Sequence, residues 1–510
     1  MTDSLSKRFI SSIFFNLLRA GISFATGIVL ARLLGPDEYG RMVFLISSFI
    51  AFKQLMDMAT ESAFFTFISQ RKRSRKFVVY FWKWVGLRGV LSLVLVGFIL
   101  PTEVISTVWH GESRSLVTLA LMASFFQNIV WGVASQLAEA QRETVRVQRL
   151  NAVISFMHLV VVIALWSMGV LAIPFLFVAL IVEWSIGGWI AARMYSFEPR
   201  SDEEDGNVDT LSSMCGEFWS YCSPFIPYSL LGFAYTFGDR WMLQNWGGAT
   251  EQANYGVAER FAQVVLIFTA SVVKIFWKEI AEANENNDRK KLKLLYERST
   301  RMLYVLGVFL CGGVIFWTKE IIHFFLGKAY QNALIPLTLM FIYPVHQSLG
   351  QISGTMLYAT GKTKIQSVIG IVFIIVSMVV AYIMMAPPDA LIPGFNLAST
   401  GLAWKMVGLQ IVQVNVVTWL IARQFEWKFD WSYQVISVLL FFSWAYLSKT
   451  TIDFLLGDTA ILLRSFLFVI QYIVGIFSIV CAFPSLAGLN KRKEIFALLS
   501  RLRSSKTRPS

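Results

Sequence analysis

Five positively charged side chains interrupt long apolar stretches of the sequence, where they could bind an anion. They are Arg19, Arg260, Lys405, Lys274 and Lys53. Burying a charge in the hydrocarbon core of a membrane costs at least about 2.5 kcal/mol, so such residues usually face a cavity. Arginine offers a planar fork to phosphate oxygens, and lysine offers a point charge. The five residues therefore predict a cationic cavity; the alternative is that each cation is paired internally and serves packing.

Helical periodicity places two of these arginines on polar stripes. At about 3.6 residues per turn, the polar residues of the first stretch lie within roughly 80° of one another. This stripe contains Ser12, Asn16, Arg19, Ser23 and Thr26. A second stripe contains Arg260, Gln263, Ser271 and Lys274. Arg32 lies on the opposite face near the helix end, where its side chain can reach the headgroups. We therefore predict binding roles for Arg19 and Arg260, and an anchoring role for Arg32.

Four acidic side chains also fall inside apolar stretches, namely Asp57, Glu61, Glu183 and Glu259. They are candidates for coupling transport to H⁺ or Na⁺, or for salt bridges that change between conformational states. Lys53 and Asp57 are four residues apart and can pair on one helix, which favours a salt-bridge role for Asp57. We predict no cofactor beyond such a coupling ion.

The sequence offers little support for catalysis. The "GKT" at 361–363 lacks the glycine that a phosphate-binding loop has five residues before Gly361, since Met356 stands there. The four histidines are scattered, and no zinc-binding spacing occurs. The connections between apolar stretches are too short for a folded catalytic domain. We therefore predict that the protein is not an enzyme.

The elements that must position these residues are membrane helices. The 510 residues are 56% hydrophobic and only 15% charged, and the mean hydropathy is +0.58, outside the range of soluble domains. About fourteen stretches reach the roughly 20 apolar residues that a span needs. None alternates with period two, as barrel strands would. We predict an all-α multi-pass membrane protein, with spans that include 9–34 and 41–69.

Basic residues are concentrated in one set of connections. These include "RKRSRK" at 71–76, "RKKLK" at 289–293 and the tail after residue 490. Loops rich in lysine and arginine stay in the cytoplasm, so both termini are predicted to be cytoplasmic. The net charge of +13 is spread over all of these loops, so we expect membrane lipids and no nucleic acid as partners. "GPDEYG" at 35–40 then forms a tight turn on the outer side.

The sequence contains an internal repeat. "ARLLGPDEYG" at 31–40 has a counterpart in "DRWMLQNWGGATEQANYG" at 239–256, and "LAEAQRETVRVQ" at 137–148 has one in "LYATGKTKIQ" at 357–366. Such pairs favour a transporter built from two copies of one bundle. The predicted parts are an N-terminal six-helix bundle (1–193), an acidic cytoplasmic linker (194–216), a C-terminal six-helix bundle (217–423), helices 13 and 14 (424–483) and a basic cytoplasmic tail (484–510).

Four segments resemble a known family. They are "ARLLGPDEYG", "LMDMATESAFF" at 55–65, "SPFIPYSLLGFAYTFGDRWML" at 223–243 and "ATGKTK" at 359–364. They resemble the polysaccharide transporter family, the Wzx-type O-antigen flippases of the multidrug/oligosaccharidyl-lipid/polysaccharide (MOP) superfamily. The resemblance implies two six-helix bundles around a central cavity and alternating access. The implied substrate is an undecaprenyl-diphosphate-linked oligosaccharide, which crosses the cytoplasmic (inner) membrane for O-antigen, capsule or exopolysaccharide synthesis.

The resemblance also implies partners and leaves alternatives. A polysaccharide polymerase and a chain-length regulator are candidate partners. Within the superfamily, the alternatives are an exporter of drugs or small cations and a flippase for the peptidoglycan precursor. A cation exporter would need an anionic cavity, whereas this sequence predicts a cationic one. An alternative of another class is a membrane-embedded enzyme or scaffold of envelope polysaccharide assembly.

Overall fold

A computed structural model describes residues 5–70, 73–195, 210–457 and 460–489, without the side chains of 5–10, 268–272, 274–275 and 277–278. Every regular element in these ranges is a helix, which confirms the all-α prediction. The α-helices are α1 (Leu5–Asp57), α2 (Thr60–Gln70), α3 (Arg75–Val94), α4 (Thr102–Val108), α5 (Arg114–Ser124), α6 (Trp131–Ala140), α7 (Thr144–Ser167), α8 (Ile173–Arg193), α9 (Leu211–Cys222), α10 (Ile226–Glu285), α11 (Arg289–Ile315), α12 (Thr318–Ile321), α13 (Leu334–Ala359), α14 (Thr363–Met385), α15 (Ala398–Gln424), α16 (Ser432–Leu456) and α17 (Ile461–Ala482). Helices satisfy their own backbone hydrogen bonds, as a span in lipid must.

Among the described residues, eleven helical segments are long and apolar enough to cross a membrane. The protein is therefore a multi-pass membrane protein. One of these segments, Ser11–Asp57, has 47 residues, which is about twice the length that one span needs. The count of fourteen spans stays a prediction.

Two long helical segments are each kinked at one glycine. Gly35 in α1 has φ 75° and ψ 170°, and Gly248 in α10 has φ 75° and ψ −174°. Positive φ favours glycine because a side chain would clash with the backbone. Both glycines lie in the first pair of repeated segments, and the predicted end of the first helix at Gly35 is confirmed. The two repeat copies therefore turn with the same backbone geometry.

The chain forms two compact units. The first unit contains Met1–Val257 and Ile374–Leu402, and the second contains Ala258–Phe373 and Ala403–Ser510. In the first unit, the ring of Phe64 makes stacked contacts with those of Phe77 and Phe81. In the second unit, the ring of Tyr472 makes stacked contacts with those of Phe309 and Phe468. The predicted division into two six-helix bundles stays a prediction.

Two local predictions need correction. The stretch 41–69 is not one helix. Helix α1 ends at Asp57 and α2 begins at Thr60, and the two residues between them, Met58 and Ala59, have positive φ. The predicted linker 194–216 is helical from Leu211, since α9 begins there with the Thr210 side chain accepting a hydrogen bond from the Ser213 amide. Residues 196–209 of that linker and the tail from 490 onward lie outside the described residues.

Candidate functional site

Arg19 lies in the part of α1 that precedes Gly35, on the predicted polar stripe. Its side chain is half-buried, and its Nε is buried without a hydrogen-bond partner. No described residue forms an ion pair with it. Thr26, on the same stripe, donates a hydrogen bond to the carbonyl of Ile22 in its own helix. A partly buried guanidinium without a partner raises the free energy of a protein in a membrane unless an anion compensates its charge. Arg19 is therefore available to bind an anionic group.

Arg260 resembles Arg19 in its burial and in having no partner among the described residues. It is half-buried in α10, and no hydrogen bond or ion pair joins it to any described residue. Lys405 differs, because it is only 2% exposed and has an interaction of its own. The side chain of Lys274 lies outside the described residues. Among the predicted cavity cations whose side chains are described, Arg19 and Arg260 therefore have no partner in the described part of the chain.

Lys53 is paired, and its partner is not the one that the helical spacing predicts. Its Nζ lies 2.9 Å from Glu61 Oε2 and donates a hydrogen bond to the carbonyl of Asn128, also at 2.9 Å. Asp57 pairs with Arg88, whose Nη1 lies 3.3 Å from Asp57 Oδ1. The four charged groups therefore form two ion pairs in the first unit. Pairing of Lys53 and a salt bridge for Asp57 agree with the packing interpretation of these residues.

A helix break at Met58 and Ala59 separates Lys53 and Asp57, in α1, from Glu61, in α2. Met58 and Ala59 have φ angles of 42° and 68°, which is unusual for residues with a side chain. Asp57 Oδ1 accepts hydrogen bonds from the Thr60 hydroxyl at 2.8 Å and the Glu61 amide at 2.9 Å. Asp57 thereby caps α2, where a carboxylate is favourable. Asp57 is the last residue of α1, so the break changes the direction from which Glu61, in α2, approaches Lys53.

Of the other predicted acids, Glu183 has a clear partner. Glu183 Oε2 in α8 lies 2.8 Å from His158 Nδ1 in α7. Glu183 Oε1 is buried without a hydrogen-bond partner. Glu259 is half-buried and has an interaction of its own. Sequence spacing did not indicate the pair of His158 and Glu183, because 25 residues separate them and no motif marks either.

The two glycine turns of the first unit approach each other closely through reciprocal contacts. A Cβ atom at Gly40 would overlap the carbonyl oxygen of Ala249, and one at Gly256 would lie 3.0 Å from a methyl group of Val43. Gly40 and Gly256 are the glycines of the two repeated Tyr-Gly pairs. The sequence repeat therefore corresponds to a contact between equivalent turns, which needs residues without a side chain.

An ion-pair network holds the first of these turns. Arg41 donates hydrogen bonds to both carboxylate oxygens of Glu112, at 2.7 and 2.8 Å, and also pairs with Glu38. Next to Glu112, the ring of His110 lies against that of Trp241. Burial lowers the pKa of His110, which favours its neutral form.

Comparisons with known proteins identify a family and a shared fold. A family model described as Polysaccharide biosynthesis protein matches residues 5–277, and no curated protein matches the chain. Among solved structures, the lipid II flippase MurJ in an inward closed conformation is similar, with a TM-score of 0.69 and 13% identity over 92% of this chain and 99% of MurJ. A multidrug resistance MATE family transporter of the MOP superfamily is similar in its inward-facing conformation, with a TM-score of 0.60 and 15% identity over 79% of this chain and 95% of the transporter. This chain therefore belongs to the polysaccharide biosynthesis protein family and has the fold of MOP superfamily transporters.

Proposed function

We propose that the protein is a flippase that carries an undecaprenyl-diphosphate-linked oligosaccharide across the cytoplasmic membrane by alternating access. The family match and the transporter fold support this proposal. Both termini would be cytoplasmic, and a polysaccharide polymerase and a chain-length regulator would act on the product. The protein would move its substrate without changing it chemically.

One observation carries the proposal, namely that Arg19 and Arg260 have no partner among the described residues. A diphosphate is strongly solvated by water, so a path through a membrane must replace that solvation with donors. Arginine is suited to this task because its fork matches phosphate oxygens. Arg19 belongs to the first unit and Arg260 to the second.

Among the four acidic candidates for coupling transport to H⁺ or Na⁺, Glu61 is our first choice. Glu61 Oε1 is buried without a hydrogen-bond partner although Oε2 pairs with Lys53. A buried carboxylate with one free oxygen can take up a proton or bind a cation. Either event would weaken the ion pair with Lys53 next to the helix break.

The test is glycan export in a strain that lacks the gene, with protein abundance measured by blotting. We expect Arg19→Ala and Arg260→Ala each to reduce surface polysaccharide by at least about tenfold, since a charge-assisted hydrogen bond contributes about 1.5–3 kcal/mol. Arg19→Lys should retain part of the activity, because the charge remains and only the fork is lost.

Arg32→Ala is the matched control, because Arg32 lies in the same helix and is exposed. We expect export close to that of the wild type. Wild-type export by both Arg19→Ala and Arg260→Ala would remove these residues from the mechanism. A stronger defect for Arg32→Ala than for Arg19→Ala would mean that the faces of this helix are assigned wrongly.

The two alternatives within the superfamily differ from the proposed function in the substrate that is transported, so substrate assays distinguish them. A peptidoglycan-precursor flippase should rescue a strain depleted of its own lipid II flippase. A drug exporter should raise resistance to cationic dyes. We expect no resistance to cationic dyes, because unpaired arginines suit an anionic headgroup and disfavour a cation. The headgroup of a peptidoglycan precursor is also anionic, so rescue of the depleted strain without restored surface polysaccharide would favour that alternative.

A further inference from the structure

The pair of His158 and Glu183 lies in the middle of two adjacent membrane helices. Glu183 is the central residue of α8, ten residues from either end. Each half of that helix rises about 15 Å, which is half of the roughly 30 Å hydrocarbon core of a bilayer. The two side chains are 16% and 12% exposed, and Glu183 Oε1 is buried without a hydrogen-bond partner among the described residues. Ionisable groups at this depth usually belong to a path for ions or protons.

Close packing of α7 on α8 fixes the position of this pair. A Cβ atom at Gly187 would overlap Ile154 Cδ1. Gly187 follows Glu183 by four residues, and Ile154 precedes His158 by four, so both contacts fit the same antiparallel register. The ionisable pair therefore belongs to a fixed helix–helix interface.

A polar stripe on α7 connects the pair to one end of the helix. We call it the α7 stripe; it consists of Gln148, Asn151, Ser155 and His158, which lie within about 80° of one another around the helix. Gln148 Oε1 and Asn151 Oδ1 are buried without a hydrogen-bond partner in the described part of the chain. Buried amide oxygens need a donor, and water fits a polar stripe of this kind.

The α7 stripe reaches only one end of the helix. Beyond His158, residues 159–165 are all apolar. The polar end lies next to Arg142, Arg146 and Arg149, in a connection that the distribution of basic residues predicts to be cytoplasmic. The stripe therefore leads from the centre of the membrane to the predicted cytoplasmic side.

Other charged side chains do not offset the charge of the pair. Helices α1, α5 and α6 and the segment 125–130 pack against α7 or α8, and 125–130 contains no charged residue. The described titratable side chains on the three helices are Arg19, Arg32, Lys53, Asp57, Arg114 and Glu139, together with those of the turn 35–41. In the described part of the chain, none of them forms an ion pair or hydrogen bond with His158 or Glu183. The charge of the pair therefore depends on the protons that its own two side chains hold.

We infer that His158 and Glu183 form a proton-binding site, which water reaches from the predicted cytoplasmic side along the α7 stripe. A neutral imidazole donates its Nδ1–H to the carboxylate, and the pair then has one negative charge. A hydronium ion delivers one proton to His158 Nε2 and leaves as water, which converts the pair into an imidazolium–carboxylate ion pair without net charge. A net charge in the membrane needs more hydration than a neutral pair. Loss of the proton therefore favours a hydrated stripe, and its uptake favours a closed one.

This inference deepens the proposed function, on which its transport part rests. It names H⁺ as a coupling ion and adds a site separate from Glu61. A site that opens to one side at a time is what coupling by alternating access requires.

Water access is tested by thiol labelling in inside-out membrane vesicles with a charged thiosulfonate, which attacks thiolates. Ser155→Cys should be labelled above the background of the four native cysteines, because the α7 stripe is hydrated. Val153→Cys is the matched control, since Val153 lies nearer to the same end of α7 and is 51% exposed on the lipid-facing side. A thiol in hydrocarbon does not ionise, so we expect Ser155→Cys to react at least about tenfold faster.

Proton binding is tested by NMR of isotope-labelled histidine nitrogens in the purified full-length protein in nanodiscs. His158→Gln identifies the resonances of His158. We expect them to change from imidazole to imidazolium as the pH falls in the wild type, and to stay neutral in Glu183→Gln, because a buried imidazolium needs its carboxylate. Glu183→Asp keeps the carboxylate and should restore part of the change.

Coupling is tested in liposomes that contain the transported lipid. A pH gradient should accelerate lipid transport by the wild type, and the ratio of the rates with and without the gradient should fall to about one in Glu183→Gln, which cannot bind the proton with a carboxylate. An equal ratio in this variant and the wild type would separate the site from coupling.

The remaining outcomes decide on the site itself. Equal labelling of Ser155→Cys and Val153→Cys would overturn the water path, and His158 resonances that do not respond to pH in the wild type would overturn the proton site. Protection of Ser155→Cys by a polyprenyl diphosphate would assign the α7 stripe to the substrate path instead. Labelling and NMR do not require transport, so a wild type that moves no lipid would contradict the proposed function and leave these two results standing.

Discussion

At the scale of single residues, the charged side chains of the first unit divide by whether a partner offsets their charge. Lys53 and Arg88 have carboxylate partners, and both pairs lie next to the break that ends α1. Arg19, in the same unit, has none among the described residues. A buried ion pair that loses one member leaves an uncompensated charge, which costs more than the pair contributed. Paired and unpaired cations should therefore respond differently to neutralisation.

Arg88→Gln should lower the free energy of unfolding by about 3 kcal/mol, because it leaves the Asp57 carboxylate without its cation. Arg88 is 5% exposed, and its Nη1 also donates a hydrogen bond to the carbonyl of Met56. Lys83→Gln in the same helix is the control, since Lys83 is exposed and its contact with the Tyr80 ring contributes less than about 1 kcal/mol. Thermal unfolding in detergent measures both. Equal melting temperatures for the two variants would show that the ion pair is not stabilising.

At the scale of helices, the glycine turns are the elements that the repeat predicts. Gly35 and Gly248 have nearly the same dihedral angles, and Gly40 packs against the backbone of Ala249. Alanine is normally better than glycine in a helix by about 1 kcal/mol. A helix position at which alanine is less stable than glycine therefore indicates a close contact between backbones.

Gly40→Ala should therefore destabilise the protein and reduce glycan export, because the new methyl group would overlap the Ala249 carbonyl oxygen. Gly21→Ala in the same helical segment is the matched control, since a Cβ there would meet nothing within 4 Å. It should be neutral or stabilising by up to about 1 kcal/mol. Thermal unfolding and export of the two variants decide the matter. A Gly40→Ala protein as stable and active as Gly21→Ala would refute the contact.

The sequence predicts those turns better than it predicts the charge pairs, for a physical reason. Glycine followed by proline at 35–36 restricts the backbone locally, so the end of a helix can be predicted from neighbouring residues. The break at Met58 and Ala59 depends on side chains that rarely adopt positive φ, and nothing local indicates it. Lys53 therefore pairs with Glu61, and Arg88 with Asp57, through contacts that tertiary packing decides.

At the scale of the whole molecule, helical composition and family membership define a multi-pass transporter fold, while topology rests on the distribution of basic residues. The asymmetry of lysine and arginine predicts cytoplasmic termini. The two glycine turns, at 35–40 and 248–256, would then lie on the outer side. Both turns must face the same side if the two repeat copies are equivalent.

Reporter fusions test this orientation. Fusions after Asp37, Gly111 and Ala249 should report the outer side, and fusions after Ser74 and Ser505 the cytoplasm. The physical reason is that basic loops resist translocation. Paired reporters, one active in each compartment, serve as reciprocal controls at every position. Reversed signals at two or more positions would overturn the topology.

The most direct test of the central claim is translocation by the purified protein in liposomes. A polyprenyl-diphosphate oligosaccharide is placed in both leaflets, and an enzyme added outside modifies only exposed glycans, so transport is followed as loss of the protected fraction. We predict that the wild type and Arg32→Ala transport the lipid, whereas Arg19→Ala and Arg260→Ala are at least about tenfold slower. A wild-type protein no faster than protein-free liposomes under an H⁺ or Na⁺ gradient would contradict the proposed function, and full activity of both Ala variants would contradict its mechanism.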